Sequence, residues 1–270
     1  MFSTLRGNNL FSYQAMNTGE GKAAGLFKKG LLLLSMLLAA PVVLLVRLAR
    51  PFVLARFGEL ISRRIGYLAR DPEMYLCKRD ASMNGKRVFD IFYSMSPVSN
   101  QQLQKMWKRV IRIWPFWLVY PAAKLNQCLP GGASHMVPKE INIGLKNRDV
   151  EGLLERAQAH LSFTPEEEER GRKALLELGV TQDAPFVCFN VRDSAYLDVL
   201  YPSYNWRYLD YRDTNIHNYL AAAEELARRG YFAIRMGAIV KEPFPGSNPR
   251  IIDYATRRRT DLTANNLWRR

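Results

Sequence analysis

The sequence lacks the compact motifs by which most cofactor-dependent enzymes are recognised. No GxGxxG follows a predicted strand and no Walker loop is present, so ordinary dinucleotide and P-loop nucleotide binding are not indicated. There is no HExxH or DxD-like metal signature and no serine elbow. We therefore expect neither a metal site nor a bound cofactor.

Cysteine is scarce, with three residues in a chain of 270. Cys77, Cys128 and Cys188 are widely spaced and odd in number, so the sequence predicts no disulfide framework and no zinc site. We expect buried, reduced thiols in a cytosolic domain.

Acidic residues are rare at the start of the chain. Residues 1–70 hold ten Lys or Arg and two acidic residues, whereas residues 71–270 hold 29 Lys or Arg and 23 acidic residues. The formal net charge of +14 is therefore concentrated near an apolar run, a pattern that suits an anionic membrane surface. The hydrophobic content of 48% is enough for a packed core. No zinc finger or RNP motif accompanies the charge, so nucleic acid is not a predicted partner.

The N-terminal region divides into a polar tail, residues 1–25, and a hydrophobic helix, residues 26–50. Seventeen uncharged residues lie between Lys29 and Arg47, which is the short limit for a spanning helix. Pro41 interrupts the helix hydrogen bonds. We expect the tail to be mobile and the helix to be associated with a membrane.

Four interpretations of this helix remain open. A cleaved signal peptide would need a cleavage site, but arginines follow at once. A spanning anchor would keep its arginine-rich C-terminal flank in the cytoplasm. A kinked in-plane or re-entrant helix would place basic residues at the interface on both flanks. An unusually apolar core helix is the soluble alternative.

Residues 51–148 predict a first α/β domain with a largely parallel sheet. Residues 114–148 contain four prolines and Gly131-Gly132, which predicts a long loop and crossover with a solvated His135. Three strands are predicted, at residues 51–61, 73–77 and 86–94, and the first of them turns at Gly58. Two helices are predicted, at residues 62–70 and 99–113, and Ser99 is the expected N-cap of the second.

Residues 149–270 predict a second α/β domain of parallel strands. A capping box of Thr164 and Glu167 with Pro165 starts a helix that Gly179 closes. Strands at 186–192, 231–236 and 250–255 and a helix at 214–229 follow. Two strand–helix units are half of a doubly wound domain, so we expect this domain to be incomplete.

Charged residues crowd the predicted carboxyl edge of these strands, where open α/β sheets bind ligands. Arg192 and Asp193 follow one strand, and Arg235 and Gly237 end the next. Tyr211, Arg212 and Asp213 precede a helix start at which Thr214 and Asn215 would offer backbone N–H groups to an anion. The arginines could neutralise a diphosphate leaving group, or Arg192–Asp193 and Arg212–Asp213 could be surface ion pairs.

The stretches FNVRD, YRDTNI and GYFAIRMG resemble motifs of an uncharacterised family of bacterial surface-carbohydrate glycosyltransferases. The resemblance extends to RFGELISRRIGYLA, MYLC, DIFYS and NQQLQKMWKR, and covers roughly residues 50–255. It implies two Rossmann-like domains in a GT-B-like arrangement, with a nucleotide-sugar donor in the second domain. It also implies a polysaccharide or lipid-linked acceptor at the cytoplasmic side of the bacterial inner membrane.

The resemblance assigns roles to individual residues. Arg192 would bind the donor phosphate, Asp193 or Glu59 would act as base, and Gly58, Arg63 and Arg64 would face the acceptor from a loop. The other residues expected at the donor are Asn190, Tyr211, Arg212, Asp213, Asn215, Arg235 and Gly237.

Three departures from the family pattern motivate an alternative. Asn190 and Tyr67 stand where the family has histidine, and the expected Gly/Ser-rich loop would lie beyond residue 270. The alternative is a truncated or degenerate, non-catalytic member that binds membrane or a partner.

Overall fold

A computed structural model describes residues 22–81, 87–138, 149 and 151–256, with side chains from Lys29 onward. The tail was predicted over residues 1–25; residues 1–21 lie outside the described residues, as does the chain after Thr256, and residues 22–25 belong to a helix and not to a tail. The elements of the first half are α1 (Lys22–Leu48), β1 (Leu54–Leu60), α2 (Ile65–Ala81), β2 (Val88–Ser94), α3 (Gln101–Val110) and α4 (Phe116–Cys128). Those of the second half are α5 (Leu153–Arg156), α6 (Pro165–Glu177), β3 (Phe186–Asn190), α7 (Ala195–Leu200), α8 (Leu220–Arg228), β4 (Phe232–Met236) and β5 (Ile251–Asp253).

The first half is built on a parallel pair, β1 and β2, with Phe57 opposite Ile91 in register. Single parallel bridges join Met136 to β1 and Ile113 to β2, which widens the pair on both sides. Alternate residues of each strand point to opposite faces. Phe57, Ile91 and Tyr93 pack on one face against α1 and α4, and Leu60 and Phe92 pack on the other against α2 and α3.

A buried ion pair joins the two strands across this sheet. Arg56 donates from Nε and Nη2 to the two oxygens of Asp90, both at 2.7 Å, and the Tyr75 hydroxyl donates to the same carboxylate. Burial and the neighbouring Asp90 charge raise the pKa of Tyr75. The bidentate contact fixes the register of the two strands.

Several local predictions were wrong. Residues 73–77 belong to α2 and are not a strand, because Leu68, Pro72 and Leu76 recur at helical spacing and form its buried stripe. Residues 114–138 contain α4 and a 3₁₀ turn at Gly132–His135. His135 is 1% exposed, and its Nδ1 lies 2.8 Å from the carbonyl oxygen of Ala55, so it is not solvated.

Helix α1 continues through Pro41 and packs on the domain only along one stripe. Ala39, Val43 and Val46 contact α4 in a shared core cluster. Arg47 anchors its C-terminal end by donating to Asn126 Oδ1 at 2.9 Å and to the carbonyl of Pro130 at 2.8 Å. The remaining apolar side chains face outward: Leu31, Leu33, Leu34, Leu37, Leu38, Val42, Leu44, Leu45 and Leu48 are exposed.

The second half is a parallel sheet in the order β3-β4-β5. One face packs against α8 through Ala223 and Ala227, and the other packs against the C-terminal end of α6 through Val180. Gly179 and Gly230 close their helices at a φ of +91°, as predicted. The predicted helix at 214–229 begins as a 3₁₀ turn, Ile216–Tyr219, and α8 starts only at Leu220.

The two halves are joined by Glu167 of α6. Its carboxylate completes the predicted capping box with Thr164 and also binds Arg109 of α3 at 2.8 Å. Gln102 of α3 donates to the same carboxylate at 2.7 Å. The hydrogen bond from Arg109 contributes most to holding the pKa of Glu167 far below its usual range.

We expect the stabilising effect of Glu167 to disappear in acid. Because its folded pKa lies below the unfolded value of about 4.3, its contribution is present above that pH and is lost as pH falls toward the folded pKa. Glu167→Gln keeps a capping-box side chain but removes the ion pair. Its free energy of unfolding should lie below that of wild type at pH 7, and the difference should narrow below about pH 4 while still being partly present at pH 3.

Chemical denaturation at several pH values measures that gap. Glu169→Gln on the same helix is the matched control, since Glu169 is 51% exposed and pairs only with residues of its own helix, Arg172 and Lys173, among the described residues. A Glu167→Gln deficit that stays constant from pH 7 to pH 3 would contradict the assigned ion pair.

Candidate functional site

The carboxyl edge of the second sheet gathers charged side chains from all three strands. Arg192 and Asp193 follow the end of β3, Arg235 lies near the end of β4, and Asp253 is the last residue of β5. Arg235 and Asp253 are direct neighbours in the β4–β5 register. Parallel pairing places these ends together because all three strands run in the same direction.

Arg235 is the centre of this cluster and is 1% exposed. Its Nη2 lies 3.6 Å from Asp193 Oδ2, and its Nη1 lies 3.6 Å from Asp253 Oδ2. Nη1 also donates to the carbonyl of Glu242. The guanidinium is therefore buried beneath the edge, and the predicted direct contact with a donor phosphate would require its surroundings to open.

Asp193 connects the strand end to two loops. Its Oδ1 accepts from the Ala195 backbone N–H at 3.0 Å, and its Oδ2 accepts from the Lys241 N–H at 2.9 Å. These bonds and the ionic contact with Arg235 hold the carboxylate in a fixed position.

Arg192 is the more accessible guanidinium, with 29% of its side chain exposed. Its Nη1 lies 2.7 Å from Asp213 Oδ1 and donates to the Leu209 carbonyl at 3.1 Å. The pair with Asp213 replaces the predicted local pairs Arg192–Asp193 and Arg212–Asp213. Both contacts use Nη1, so the Nε–Nη2 edge makes no hydrogen bond within the described part of the chain.

Buried polar atoms without a hydrogen-bond partner concentrate here. Among the described residues there are four such side-chain atoms, and three belong to this edge: Asp213 Oδ1, Asp253 Oδ1 and Arg235 Nε. Asp213 Oδ1 makes no hydrogen bond to the described part of the chain, but it lies 2.7 Å from Arg192 Nη1 in an ion pair. Unsatisfied buried groups are costly in a native fold and call for a physical reason.

The remaining predicted donor residues lie around this centre. Asn190, Tyr211 and Arg212 are exposed. The predicted open helix start is already used internally, because the Thr214 N–H donates to the Arg192 carbonyl and Asn215 Oδ1 accepts from the His217 N–H. A Cβ at Gly237 would meet Val240 at 2.8 Å, so this glycine serves packing of the chain on itself.

The predicted acceptor residues lie in the first half, but not all in a loop. Gly58 and Glu59 are inside β1, and a Cβ at Gly58 would meet the Phe92 ring at 2.6 Å. Arg63 and Arg64 do lie in the turn after β1. The Arg63 Nε donates to the Ser96 carbonyl at 3.0 Å, and the Arg64 guanidinium lies 5.2 Å from the centre of the Trp206 ring in the second half.

Sequence reasoning missed Asp253 and the aromatic residues near Arg64. Asp253 ends a short apolar strand, and Asp193 closely follows another. A search for charged residues at strand ends, which identified Asp193, could therefore have found Asp253 as well. Tyr201, Tyr204, Trp206 and Tyr208 form a chain of ring contacts with centroids 4.3–6.5 Å apart. These aromatic residues follow no helical or strand periodicity, so the sequence does not predict that they cluster. The contact between Arg64 and Trp206 connects this cluster to the first half.

No protein-family model matches the sequence, and no curated protein or solved structure matches it significantly. A function can therefore be proposed only from the residues and their geometry.

Proposed function

We propose that this chain is a membrane-associated glycosyltransferase. It would move a sugar from a nucleotide-sugar donor to a surface polysaccharide or lipid-linked acceptor at the cytoplasmic side of a bacterial inner membrane. The donor would bind at the carboxyl edge of β3, β4 and β5.

The concentration of unsatisfied buried atoms at this edge carries the proposal. Arg235 Nε is a donor that needs an acceptor, as phosphate oxygens are. Asp253 Oδ1 is an acceptor that needs a donor, as sugar hydroxyls are, whereas Asp213 Oδ1 already has the Arg192 guanidinium at 2.7 Å. A nucleotide sugar supplies both kinds of group within one molecule, and Arg192 offers its Nε–Nη2 edge to a phosphate from a half-exposed position.

The arrangement of layers supports a GT-B-like pair of Rossmann-like domains. Each half has a parallel sheet with helices on both faces, and such sheets bind ligands at their carboxyl edge. Arg64 and Trp206 bring the turn after β1 against the second half. An acceptor held by the first half would therefore approach the donor edge from that turn.

The apolar surface around α1 supports the membrane assignment. Within the described residues, one helix, Lys29–Leu48, has the length and composition needed to cross a bilayer. Phe52 follows α1 in the chain and is exposed, and Trp114, Trp117 and Leu118 are exposed at or just before the start of α4, the helix that packs against α1. Tryptophan favours the membrane–water interface, so these side chains would sit at the level of the lipid headgroups.

Isothermal calorimetry of the full chain in detergent, with a panel of nucleoside diphosphates, tests the donor site. We expect Arg192→Ala to weaken binding of the preferred diphosphate about 10- to 100-fold, because a charged hydrogen bond is worth roughly 1.5–3 kcal/mol. Arg228→Ala is the matched control, since Arg228 is exposed and pairs with Glu225 on α8. Equal affinity of wild type and Arg192→Ala would remove Arg192 from the site.

A second candidate is a non-catalytic relative that binds membrane or a partner. The charge of the edge favours it: Asp193, Asp213 and Asp253 outnumber Arg192 and Arg235, so a diphosphate must compete with carboxylates already in place. This candidate predicts vesicle binding by a chain that shows no diphosphate binding and releases no nucleoside diphosphate from any nucleotide sugar.

A further inference from the structure

We propose that Glu73, Cys77 and His160 form a binding site for a Zn²⁺ ion. One ligand atom from each of these side chains lies within 4.8 Å of the other two. The site is separate from the donor edge, since Glu73 and Cys77 belong to α2 in the first half and His160 precedes α6. It contradicts our expectation, from the sequence, of no metal site.

The backbone explains why the three ligands meet. Glu73 and Cys77 are four residues apart on α2, so their side chains lie on the same face, one turn apart. His160 reaches this face from the segment before α6, and its backbone N–H donates to Glu73 Oε1 at 3.3 Å. A separation of 83 residues between Cys77 and His160 hides such a site from any local motif.

The ligand types fit zinc. Thiolate and imidazole favour Zn²⁺ over Mg²⁺ or Ca²⁺, and three protein ligands with one open position form a known zinc geometry. Zinc bonds of about 2.0–2.3 Å place ligand atoms roughly 3.5 Å apart. Atoms that are up to 4.8 Å apart would therefore close by about 1.3 Å at most, and Glu73 Oε1 and His160 Nδ1, which lie 2.9 Å apart, would separate by roughly 0.6 Å.

A second carboxylate orients the histidine. His160 Nε2 lies 3.0 Å from Asp80 Oδ2, and Nδ1 lies 2.9 Å from Glu73 Oε1. Carboxylates accept hydrogen bonds, so Asp80 fixes the proton on Nε2 and aims Nδ1 at Glu73 and Cys77. This is the carboxylate–histidine–metal arrangement of established zinc sites, with Asp80 as the orienting residue. Arg79 holds the other oxygen of Asp80 at 2.9 Å.

The surroundings suit a cation. Cys77 is 3% exposed and has no disulfide partner. Burial raises the pKa of its thiol, and the negative charges of Glu73, Asp149 and Asp80 raise it further. The same negative potential attracts Zn²⁺, which displaces the thiol proton and the Nδ1 proton as it binds. The ion would bind the segment at His160 to α2 and so stabilise the contact between the two halves.

Zinc titration of the metal-free full chain in detergent, against a chromophoric chelator, tests the proposal. We expect one equivalent to bind to wild type, and Cys77→Ser and His160→Ala to lose it. Asp80→Asn should weaken binding about 10- to 100-fold while leaving all three ligands in place. Cys128→Ser and Cys188→Ser should bind as wild type does, because these thiols lie elsewhere and are exposed.

Cobalt substitution identifies the sulfur ligand independently of affinity. Wild type loaded with Co²⁺ should show a sulfur-to-metal charge-transfer band that Asp80→Asn retains and Cys77→Ser lacks. Circular dichroism verifies that each variant is folded. The proposal is overturned if metal-free wild type takes up no Zn²⁺, or if folded Cys77→Ser binds it as tightly as wild type does.

Discussion

Replacing Arg235 by methionine should lower the free energy of unfolding by about 3–5 kcal/mol, because it leaves buried carboxylates without their cation. The side chain is 1% exposed and lies between Asp193 and Asp253, which are themselves mostly buried. Methionine fills a similar volume, so loss of packing contributes little. The expected loss of unfolding free energy therefore reports how much the Arg235 charge stabilises the cluster at the sheet edge.

Two further variants make this result specific. Arg235→Lys keeps the charge but not the planar fork, so it should fall between wild type and Arg235→Met. Arg228→Met removes an exposed arginine that is 72% accessible and pairs with Glu225, and it should change stability by less than about 0.5 kcal/mol. Urea denaturation of the detergent-solubilised chain gives all three values. Equal stability of Arg235→Met and Arg228→Met would show that the cluster does not hold the sheet edge together.

Arg235 reaches the sheet edge and is also buried there, and only the first of these two properties could be predicted from the sequence. Its position at the end of an apolar strand predicted that it would reach the carboxyl edge, and it does. Two of its partners, Glu242 and Asp253, come from the loop and strand that follow. A sequence pattern gives the strand on which a charge lies, but not whether another segment covers that charge.

Helices and strands with local start and stop signals in the sequence were predicted correctly, and those that depend on tertiary packing were not. Residues 164–179 carry their own start and stop signals in a capping box and a glycine, and this helix was predicted closely. β2, β3 and β4 were likewise marked by apolar runs between polar segments. Residues 73–77 and 114–128 lack such signals, and their helices form because tertiary packing buries Leu76, Val119 and Ala123.

Burial of the cysteines was also only partly predictable. Cys77 is buried as expected, whereas Cys128 and Cys188 are exposed. Strand β3 lies at the edge of its sheet, and its residues alternate between a partly buried and an exposed face. Cys188 lies on the exposed face with Phe186 and Asn190. Within the described residues this face of β3 is uncovered, so the expectation of a buried thiol is wrong for Cys188.

The apolar helix offers the largest effect expected from a surface change. Leu37 and Leu38 lie near the middle of the Lys29–Leu48 span and are 71% and 75% exposed. At the centre of a membrane helix, leucine favours insertion by about 0.3–0.6 kcal/mol and lysine opposes it by roughly 2.5–3.5 kcal/mol. The double variant Leu37→Lys/Leu38→Lys should therefore reduce membrane partitioning by about 6 kcal/mol, which is on the order of 10⁴-fold.

Flotation of the full chain with vesicles that contain anionic lipid measures this loss directly. Wild type should float with the vesicles and the double variant should remain at the bottom of the gradient. Tyr208→Lys/Tyr211→Lys is the matched control, since both tyrosines are exposed and belong to the second half. Because the leucines make few contacts with the rest of the chain, the double variant should keep its fold by circular dichroism. A folded double variant that still floats would mean that α1 does not insert, and membrane binding would then rest on the basic residues and fall steeply with salt.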